Sequence, residues 1–382
     1  MKITPFNDSI IFVVLLAAVL LGCVNVEKQP IIGKPKILSI NDINKRPPLS
    51  LSRLAYDLRY LFLNEEFGKN LVIDQVVSAN DILYLLDKSK KKLFLTNLTG
   101  RKISELTGVT CFDVTNDKLY TYNSANGMMI VSNVFGQLKG HYRLGFRGVD
   151  FMSLNDSTFV FYTGGIITAD KESNRYELAF VSKNGELKEF ALPISEVKQG
   201  INYAPIRRFT RDNGLFFISG LGTTSYQISE QYLKPLLKFD FEESMLTDSI
   251  FETFKELESY SFFPYVLNLT NKLNTDKHKF FNFTLRGVEG YIFVSKKDSK
   301  PIMINLKSSA DRTSDFNDLI PEAYNNSLFV SIVDKRRFQK NYELFLKMSS
   351  GSRQSSRLQN VNYQNVLRNN NPIILLYKLR GI

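Results

Sequence analysis

The stretch from Val72 to Gly100 reads VIDQVVSANDILYLLDKSKKKLFLTNLTG and contains three short apolar runs separated by polar residues. The breaks between the runs carry an Asn-Asp pair, a lysine-rich segment and a Thr-Gly pair. Apolar runs bounded by such residues are typical of strands joined by tight turns. The stretch therefore predicts three strands, at residues 72–77, 82–87 and 93–97.

The same pattern returns 36 residues further along the chain. Three turn positions recur at that offset, namely Asn80 with Asn116, Asn97 with Asn133, and Gly100 with Gly136. Later copies begin near Asn155, Asp212, Phe280 and Asn325. Repeats of roughly 40–50 residues with three or four short strands each are the signature of a β-propeller.

We therefore predict an all-β fold, a six-bladed β-propeller with four-stranded antiparallel blades over residues 49–382. The strand near Ile373–Tyr377 is expected to complete a blade with the strand near Leu58–Leu63. Such a closure joins the two ends of the ring and removes the exposed sheet edges that a linear array would leave.

One segment departs from the strand pattern. Between Glu243 and Tyr260, apolar residues follow one another at spacings of four, four and three, at Leu246, Ile250, Phe254 and Leu257. This spacing places them on one helical face. It predicts one short helical insertion between the fourth and fifth blades, with its apolar stripe against the propeller.

The N-terminus has the pattern expected of a targeting signal. The apolar run from Ile10 to Leu21 has 12 residues and follows Lys2. A membrane-spanning helix needs roughly 20 residues, whereas a secretory signal needs roughly 7–15. Residues 1–22 are therefore expected to be a signal peptide.

The end of that run, Leu20-Leu21-Gly22-Cys23, resembles a bacterial lipobox. The resemblance implies removal of residues 1–22 and attachment of diacylglycerol to Cys23 through a thioether. The alternative is cleavage by an ordinary signal peptidase, which would leave Cys23 as a thiol. Residues 23–48 contain four prolines and are expected to form a tether and lead-in without stable structure. Cys111, the other cysteine, lies in an apolar run and is expected to be a buried thiol.

The net charge of +11 is concentrated at the C-terminus. From Lys335 to Ile382 there are ten basic residues and a single acidic one, Glu343. Such a region could face anionic lipid headgroups or an acidic glycan, and the alternative is a solvated surface with no partner. If the closing blade lies beside the N-terminal strand, this basic region would sit near the lipid anchor. Nucleic acid is not an expected partner for an exported protein.

Signal, lead-in and repeats together resemble the lipid-anchored six-bladed β-propeller proteins of Bacteroidota-type cell envelopes, over about residues 40–382. The resemblance rests on the Asn-Asp strand openings, on LLKFDF at 236–241 and on the closing NPIILLYKL at 371–379. The Gly-x-Gly-Pro-Gly-Glu turn common in that family is replaced here by LGFRG at 144–148. Membership implies no particular activity.

The resemblance also implies a cellular location, the outer membrane. Surface-exported lipoproteins of this group carry acidic residues soon after the cysteine, whereas Val24–Lys28 offers one glutamate and one lysine. The periplasmic face is therefore favoured over the cell surface.

Sequence motifs for catalysis or metal binding are missing. The chain has two histidines, His141 and His278, and no Cys/His spacing for zinc. It has no Gly-x-Ser-x-Gly, no P-loop and no Asp-x-Asp-x-Asp calcium pattern. We therefore assign no catalytic residues, no metal site and no cofactor from the sequence.

The run Tyr203-Ala204-Pro205-Ile206-Arg207-Arg208 is the one candidate ligand-binding segment. It precedes a strand, where propeller loops reach the central channel. Tyr203, Arg207 and Arg208 could bind a carboxylate or a sulfated sugar by stacking and bidentate hydrogen bonds. The alternative is a pair of solvated loop arginines.

These observations favour a monomeric cell-envelope lipoprotein that acts as a binding or scaffold propeller for a partner protein or an anionic glycan. The alternative is a propeller enzyme, a lyase or hydrolase acting on envelope or dietary polysaccharide. Catalysis would require titratable side chains to converge at the channel mouth.

Overall fold

The computed structural model describes residues 27–39, 55–115, 117–164, 175–198, 209–219, 222–253, 265–285, 288–306, 320–333, 338 and 371–380. These residues form six antiparallel sheets in a ring, with very little helix. The predicted six-bladed β-propeller is thereby confirmed. We number the sheets as blades 1 to 6, in the order in which their innermost strands, those nearest the ring axis, occur along the chain.

Three strands precede blade 1: β1 (Glu27–Lys28), β2 (Lys36–Ser39) and β3 (Ala55–Phe62). Blades 1 to 3 are built from β4 (Gln75–Ala79), β5 (Ile82–Asp87), β6 (Lys92–Asn97), β7 (Lys102–Thr107), β8 (Cys111–Val114), β9 (Lys118–Asn123), β10 (Met128–Asn133), β11 (Leu138–Arg143), β12 (Asp150–Ser153), β13 (Thr158–Tyr162), β14 (Tyr176–Ser182) and β15 (Leu187–Pro193). Blades 4 to 6 are built from β16 (Phe209–Arg211), β17 (Leu215–Ile218), β18 (Thr224–Ile228), β19 (Leu233–Asp240), β20 (Val266–Asn274), β21 (His278–Leu285), β22 (Val288–Ser295), β23 (Pro301–Leu306), β24 (Ala323–Asn325), β25 (Leu328–Val333) and β26 (Ile373–Leu379).

The sequence repeat is a structural repeat. Strands β5, β6 and β7 of blade 1 recur as β9, β10 and β11 of blade 2, each displaced by 36 residues. The predicted strand at 82–87 is β5, and all six of its residues are buried. The first strand begins at Gln75 rather than at Val72, and the Val72 N–H donates to the side-chain carboxylate of Asp87 (3.2 Å) at the end of the paired strand.

Tight turns set the register of each blade. Asn80 and Asp81 both have positive φ angles, 53° and 58°. A two-residue turn of this kind matches the twist of antiparallel strands and favours Asn and Asp. Gly136 lies at the end of the turn between β10 and β11 and has a φ angle of 86°, which favours glycine. A Cβ at this position would also lie only 3.0 Å from Ser104 Oγ of blade 1.

Blade 6 closes the ring with strands from both ends of the propeller. Its strand β26 pairs antiparallel with β3, with Ile373 opposite Phe62 and Leu379 opposite Ala55. The predicted pairing of the last strand with an early one is thereby confirmed. Tyr377 of β26 is fully buried, and its hydroxyl lies 3.0 Å from Ser331 Oγ in the adjacent strand β25.

Residues 27–39, expected to lack stable structure, lie along the outside of the ring. We call them the strap. Strand β1 adds in parallel to β15, the outermost strand of blade 3, and β2 adds in parallel to β19 of blade 4. An edge strand has unpaired backbone N–H and C=O groups to which another segment can pair. The strap can therefore bind to β15 and β19 without a regular pattern of apolar side chains.

Three side chains of the strap, those of Gln29, Leu38 and Lys36, hold it against the ring. Gln29, 5% exposed, donates to Glu189 Oε1 (3.1 Å) and to the Ser229 carbonyl (3.0 Å). Leu38, also 5% exposed, packs in the apolar cluster between blades 4 and 5. Lys36 Nζ donates to the carbonyl of Asp298 in a turn of blade 5 (2.8 Å).

The described part of the basic C-terminal region lies away from the strap. Lys378 is on β26 and Arg380 directly follows it, so both belong to blade 6. In a ring of six blades, blade 6 is opposite blade 3, where the strap begins. The described basic residues of this region therefore lie beside β3, across the ring from β1.

Helix α1 (Asp248–Thr253) lies between blades 4 and 5, inside the span predicted to be helical. Asp248 forms an ion pair with Lys198 (2.6 Å) from the loop before blade 4. Phe254 and Leu257 of the predicted stripe lie outside the described residues. Within the described parts of the chain, no helix has the length and apolarity to cross a bilayer.

The strap supplies a matched pair of substitutions. Leu38→Ala should lower the free energy of unfolding by about 2–5 kcal/mol, because it opens a cavity in the cluster shared by blades 4 and 5. Ile37→Ala, at the adjacent and 64% exposed position, should change it by no more than about 0.5 kcal/mol. Urea denaturation of both variants checks this. Equal effects would show that the strap does not pack as described.

Candidate ligand site in the central channel

The first strands of all six blades converge around a central cavity of about 260 Å³. The lining residues sit near the ends of these strands, on the face of the ring that carries the turns between first and second strands. We call this the lower face. The charged residues of the lining are Asp113, Arg211, Lys272 and Glu322.

Asp113 and Arg211 form an ion pair that spans three consecutive blades. Arg211, at the end of β16 in blade 4, donates from Nη2 to Asp113 Oδ2 of blade 2 (2.9 Å). The same nitrogen donates to the Ser153 carbonyl of blade 3 (2.6 Å). Ser153 donates to Asp113 Oδ2 from both its backbone N–H (2.9 Å) and its hydroxyl (2.8 Å).

This cluster leaves hydrogen-bonding capacity on the cavity side. The Asp113 side chain is fully buried, yet among the described residues its Oδ1 has no hydrogen-bond partner. The Arg211 side chain is 35% exposed and uses only Nη2 for contacts with described residues. A guanidinium has five N–H donors. Several Arg211 donors are therefore available to a molecule that enters the channel, whereas Asp113 Oδ1 is buried out of its reach.

A second ion pair lies across blades 5 and 6. Lys272 Nζ of β20 contacts both carboxylate oxygens of Glu322, at 2.7 and 2.6 Å. Both side chains are about one quarter exposed, 22% and 26%. Because each base is matched by an acid, the four charges of the lining cancel.

Thr210, Asn274 and Tyr324 add an amide and two hydroxyls to the lining, and Asn271, which is not itself a lining residue, contacts Thr210. The Asn271 amide is best satisfied when its oxygen accepts from Thr210 Oγ1 (3.0 Å) and its nitrogen donates to the Phe280 carbonyl (3.0 Å). Asn274 keeps one buried amide atom with no partner among the described residues. Tyr324 donates to Asp276 (3.4 Å), and burial raises the pKa of its hydroxyl. The cavity therefore combines donors and acceptors with no excess of charge.

Both histidines lie away from this lining. His141 is an exposed residue of β11, the outermost strand of blade 2. His278 is buried in β21, the second strand of blade 5, with its ring against Phe293. Burial lowers the pKa of His278 and so favours its neutral form. Among the described residues, no three His, Cys, Asp or Glu side chains come close enough together to hold a metal ion.

The candidate residues Tyr203, Arg207 and Arg208 lie outside the described residues, immediately before β16. The arginine that does line the channel, Arg211, follows them by three positions, and no sequence motif marks it. Asp113 was also missed, although a carboxylate inside the otherwise apolar strand β8 is a usable signal. Burying such a group is costly unless it is paired.

Comparisons with known proteins show the fold and leave the activity open. No protein-family model and no curated protein matches the chain. A Bacteroides fragilis protein whose name marks it as exported superposes with a TM-score of 0.70 at 15% identity, covering 91% of this chain and 100% of that one. A DUF4221 family member from Bacteroides vulgatus gives a TM-score of 0.50 at 10% identity, covering 86% and 98%.

The virginiamycin B lyase of Staphylococcus aureus is a more distant likeness. Its TM-score is 0.41 at 12% identity, covering 72% of this chain and 80% of the lyase. Similarity at that level carries no argument about lyase activity. The Bacteroides proteins share the propeller architecture with this chain over nearly their whole lengths.

The ion pair of Asp113 and Arg211 can be tested by a double-mutant cycle. Arg211→Met should lower the free energy of unfolding by about 3 kcal/mol, because it leaves the Asp113 carboxylate buried without its cation. Asp113→Asn in the Arg211→Met background should recover part of that loss. Chemical denaturation of the two single variants and the double variant gives the coupling energy. A coupling near zero would contradict the pairing described here.

Proposed function

We propose that the protein is an exported, lipid-anchored binding protein of the cell envelope. Its proposed ligand is a neutral, hydroxyl-rich glycan, one end of which enters the channel through the lower face. The binding role is supported by a rigid ring whose lining residues come from six separate blades. Functional groups placed on such a scaffold are held in fixed positions.

The single observation that carries this proposal is the charge balance of the cavity. Asp113 and Glu322 would oppose an anion, and Arg211 and Lys272 would oppose a cation. Hydroxyl groups both donate and accept hydrogen bonds, so a sugar hydroxyl can accept from the remaining Arg211 donors without bringing a charge into the cavity. We therefore favour a neutral glycan over the anionic one suggested by the arginine pair at 207 and 208.

The size of the cavity agrees with a sugar. A water molecule takes up about 30 Å³ in the liquid, so a cavity of about 260 Å³ holds the equivalent of about nine waters. That is sufficient for the terminal residue of a glycan. A protein partner would have to bind outside the channel, on the turns of the lower face.

Binding is also favoured over catalysis by the pairing of the charged groups. A glycan hydrolase uses one carboxylic acid and one carboxylate, both placed to act on the substrate. Here Asp113 is held by Arg211 and Ser153, and Glu322 is held by Lys272. Both oxygens of Glu322 contact Lys272, and the Asp113 side chain is fully buried, so neither carboxylate is placed to act on a substrate.

The anchor is proposed at Cys23. It is supported by the lipobox-like end of the apolar run and by the strap, which begins only four residues after this cysteine. The outer membrane is the proposed location, with the protein on its periplasmic face. Since a single acyl chain holds a protein only marginally, the two chains of a diacylglycerol suit a permanent attachment.

Glycan binding can be measured on an unlipidated chain running from Val24 to Ile382. We expect neutral oligosaccharides to bind on a glycan array and in calorimetry, and Arg211→Lys to weaken binding about tenfold, equivalent to about 1.4 kcal/mol. Lysine keeps the charge and loses the planar fork of donors. Arg143→Lys, on the exposed outer strand of blade 2, is the matched control and should bind normally. Recognition restricted to sulfated or uronate glycans would overturn the neutral-ligand proposal, and a negative array with a protein recovered in pull-downs would favour a scaffold.

The anchor can be tested through the two cysteines of the chain. Cys23→Ala should abolish incorporation of labelled palmitate and move the protein from the membrane fraction to the soluble one. Cys111→Ala, at the buried position in β8, should keep both the label and the membrane location. Continued membrane fractionation of the Cys23→Ala variant would contradict lipid attachment at this residue.

A further inference from the structure

The strap presents an unusual surface to solvent. Of the seven large hydrophobic side chains exposed among the described residues, three belong to these 13 residues. They are Ile31, Ile32 and Ile37, which are 49%, 44% and 64% exposed. The strap buries Gln29 and Leu38 against the ring, so its isoleucines are not required for attachment.

Basic residues alternate with these isoleucines. Lys28, Lys34 and Lys36 are exposed, and no acidic residue occurs between positions 28 and 39. In the parallel register, Ile37 lies opposite Lys238 of β19. Lys238 and Lys234 are exposed as well. Apolar side chains interspersed with lysines are typical of surfaces that lie in the interface of an anionic bilayer.

The length of the chain before the strap limits where a bilayer can be. Cys23 precedes Glu27 by four residues, and four extended residues span at most about 14 Å. Glu27 pairs with Glu189 on the outer edge of blade 3. An acyl chain on Cys23 would therefore enter the bilayer beside this edge of the ring.

We propose that the outer edge of blades 3 and 4, covered by the strap, is the membrane-facing surface of the protein. Ile31, Ile32 and Ile37 enter the interfacial region, and the lysines of the strap meet anionic headgroups. This orientation rests on the proposed anchor at Cys23. The outer edge of a blade points away from the ring axis, so both mouths of the channel stay open to solvent.

The absence of tryptophan from the chain makes a direct test possible. Ile37→Trp places a single fluorophore on the strap, and Ile103→Trp places one on β7, the outermost strand of blade 1, which is opposite blade 4 in the ring. Ile103 is 40% exposed and serves as the control. Ile32→Trp provides a second reporter on the strap. Circular dichroism checks that each variant is folded.

The lipidated variants are reconstituted into anionic vesicles with and without lipids brominated near the top of the acyl chains. We expect quenching to about half the intensity and a blue-shifted emission at position 37, and neither at position 103, since interfacial side chains reach the headgroup boundary. Flotation of the same samples reports the anchor separately.

The outcomes separate the two proposals. If the protein floats but position 37 is not quenched, or position 103 is quenched equally, the orientation is wrong while the anchor stands. If the protein does not float, the anchor at Cys23 is wrong and the orientation is overturned with it.

Discussion

The structure depends on the hydrogen-bonded pairing of β26 with β3, which joins the two ends of the ring. Each blade is a small sheet that cannot bury both faces alone, so it is stable only between two neighbours. The pairing gives blade 6 its fourth strand and gives blade 1 a neighbour. Ile374 and Leu376 of β26 are fully buried in the apolar cluster that joins blades 6 and 1. Without this closure the two terminal blades would each expose an apolar face.

Closure also assembles the channel. Asp113 and Arg211 are separated by 98 residues and Lys272 and Glu322 by 50, and each pair is brought together only because its blades are held in a ring. These ion pairs stabilise contacts between blades and at the same time equip the cavity with donors and acceptors. The same side chains therefore serve the fold and the proposed ligand site, which is why their removal should affect both stability and binding.

The strap relates the fold of the ring to its proposed location at a membrane. A mobile tether would let the ring take any orientation relative to a bilayer. By adding β1 to blade 3 and β2 to blade 4, the chain shortens the link between Cys23 and the ring to four residues. The exposed isoleucines and lysines then lie on the side that the link can reach.

The sequence by itself determined the local units of this protein. Hairpin turns such as Asn80-Asp81 and the strand at 82–87 depend on neighbouring residues, so their pattern and its repeat at 36 residues predicted the blades and their closure. The strap was missed because edge pairing uses backbone groups, which leave no side-chain period in a segment rich in proline and lysine. The Asp113–Arg211 pair was missed because nothing local links residues so far apart along the chain. Which polar side chains share the channel was decided only by the tertiary structure, since the ring sets their distances.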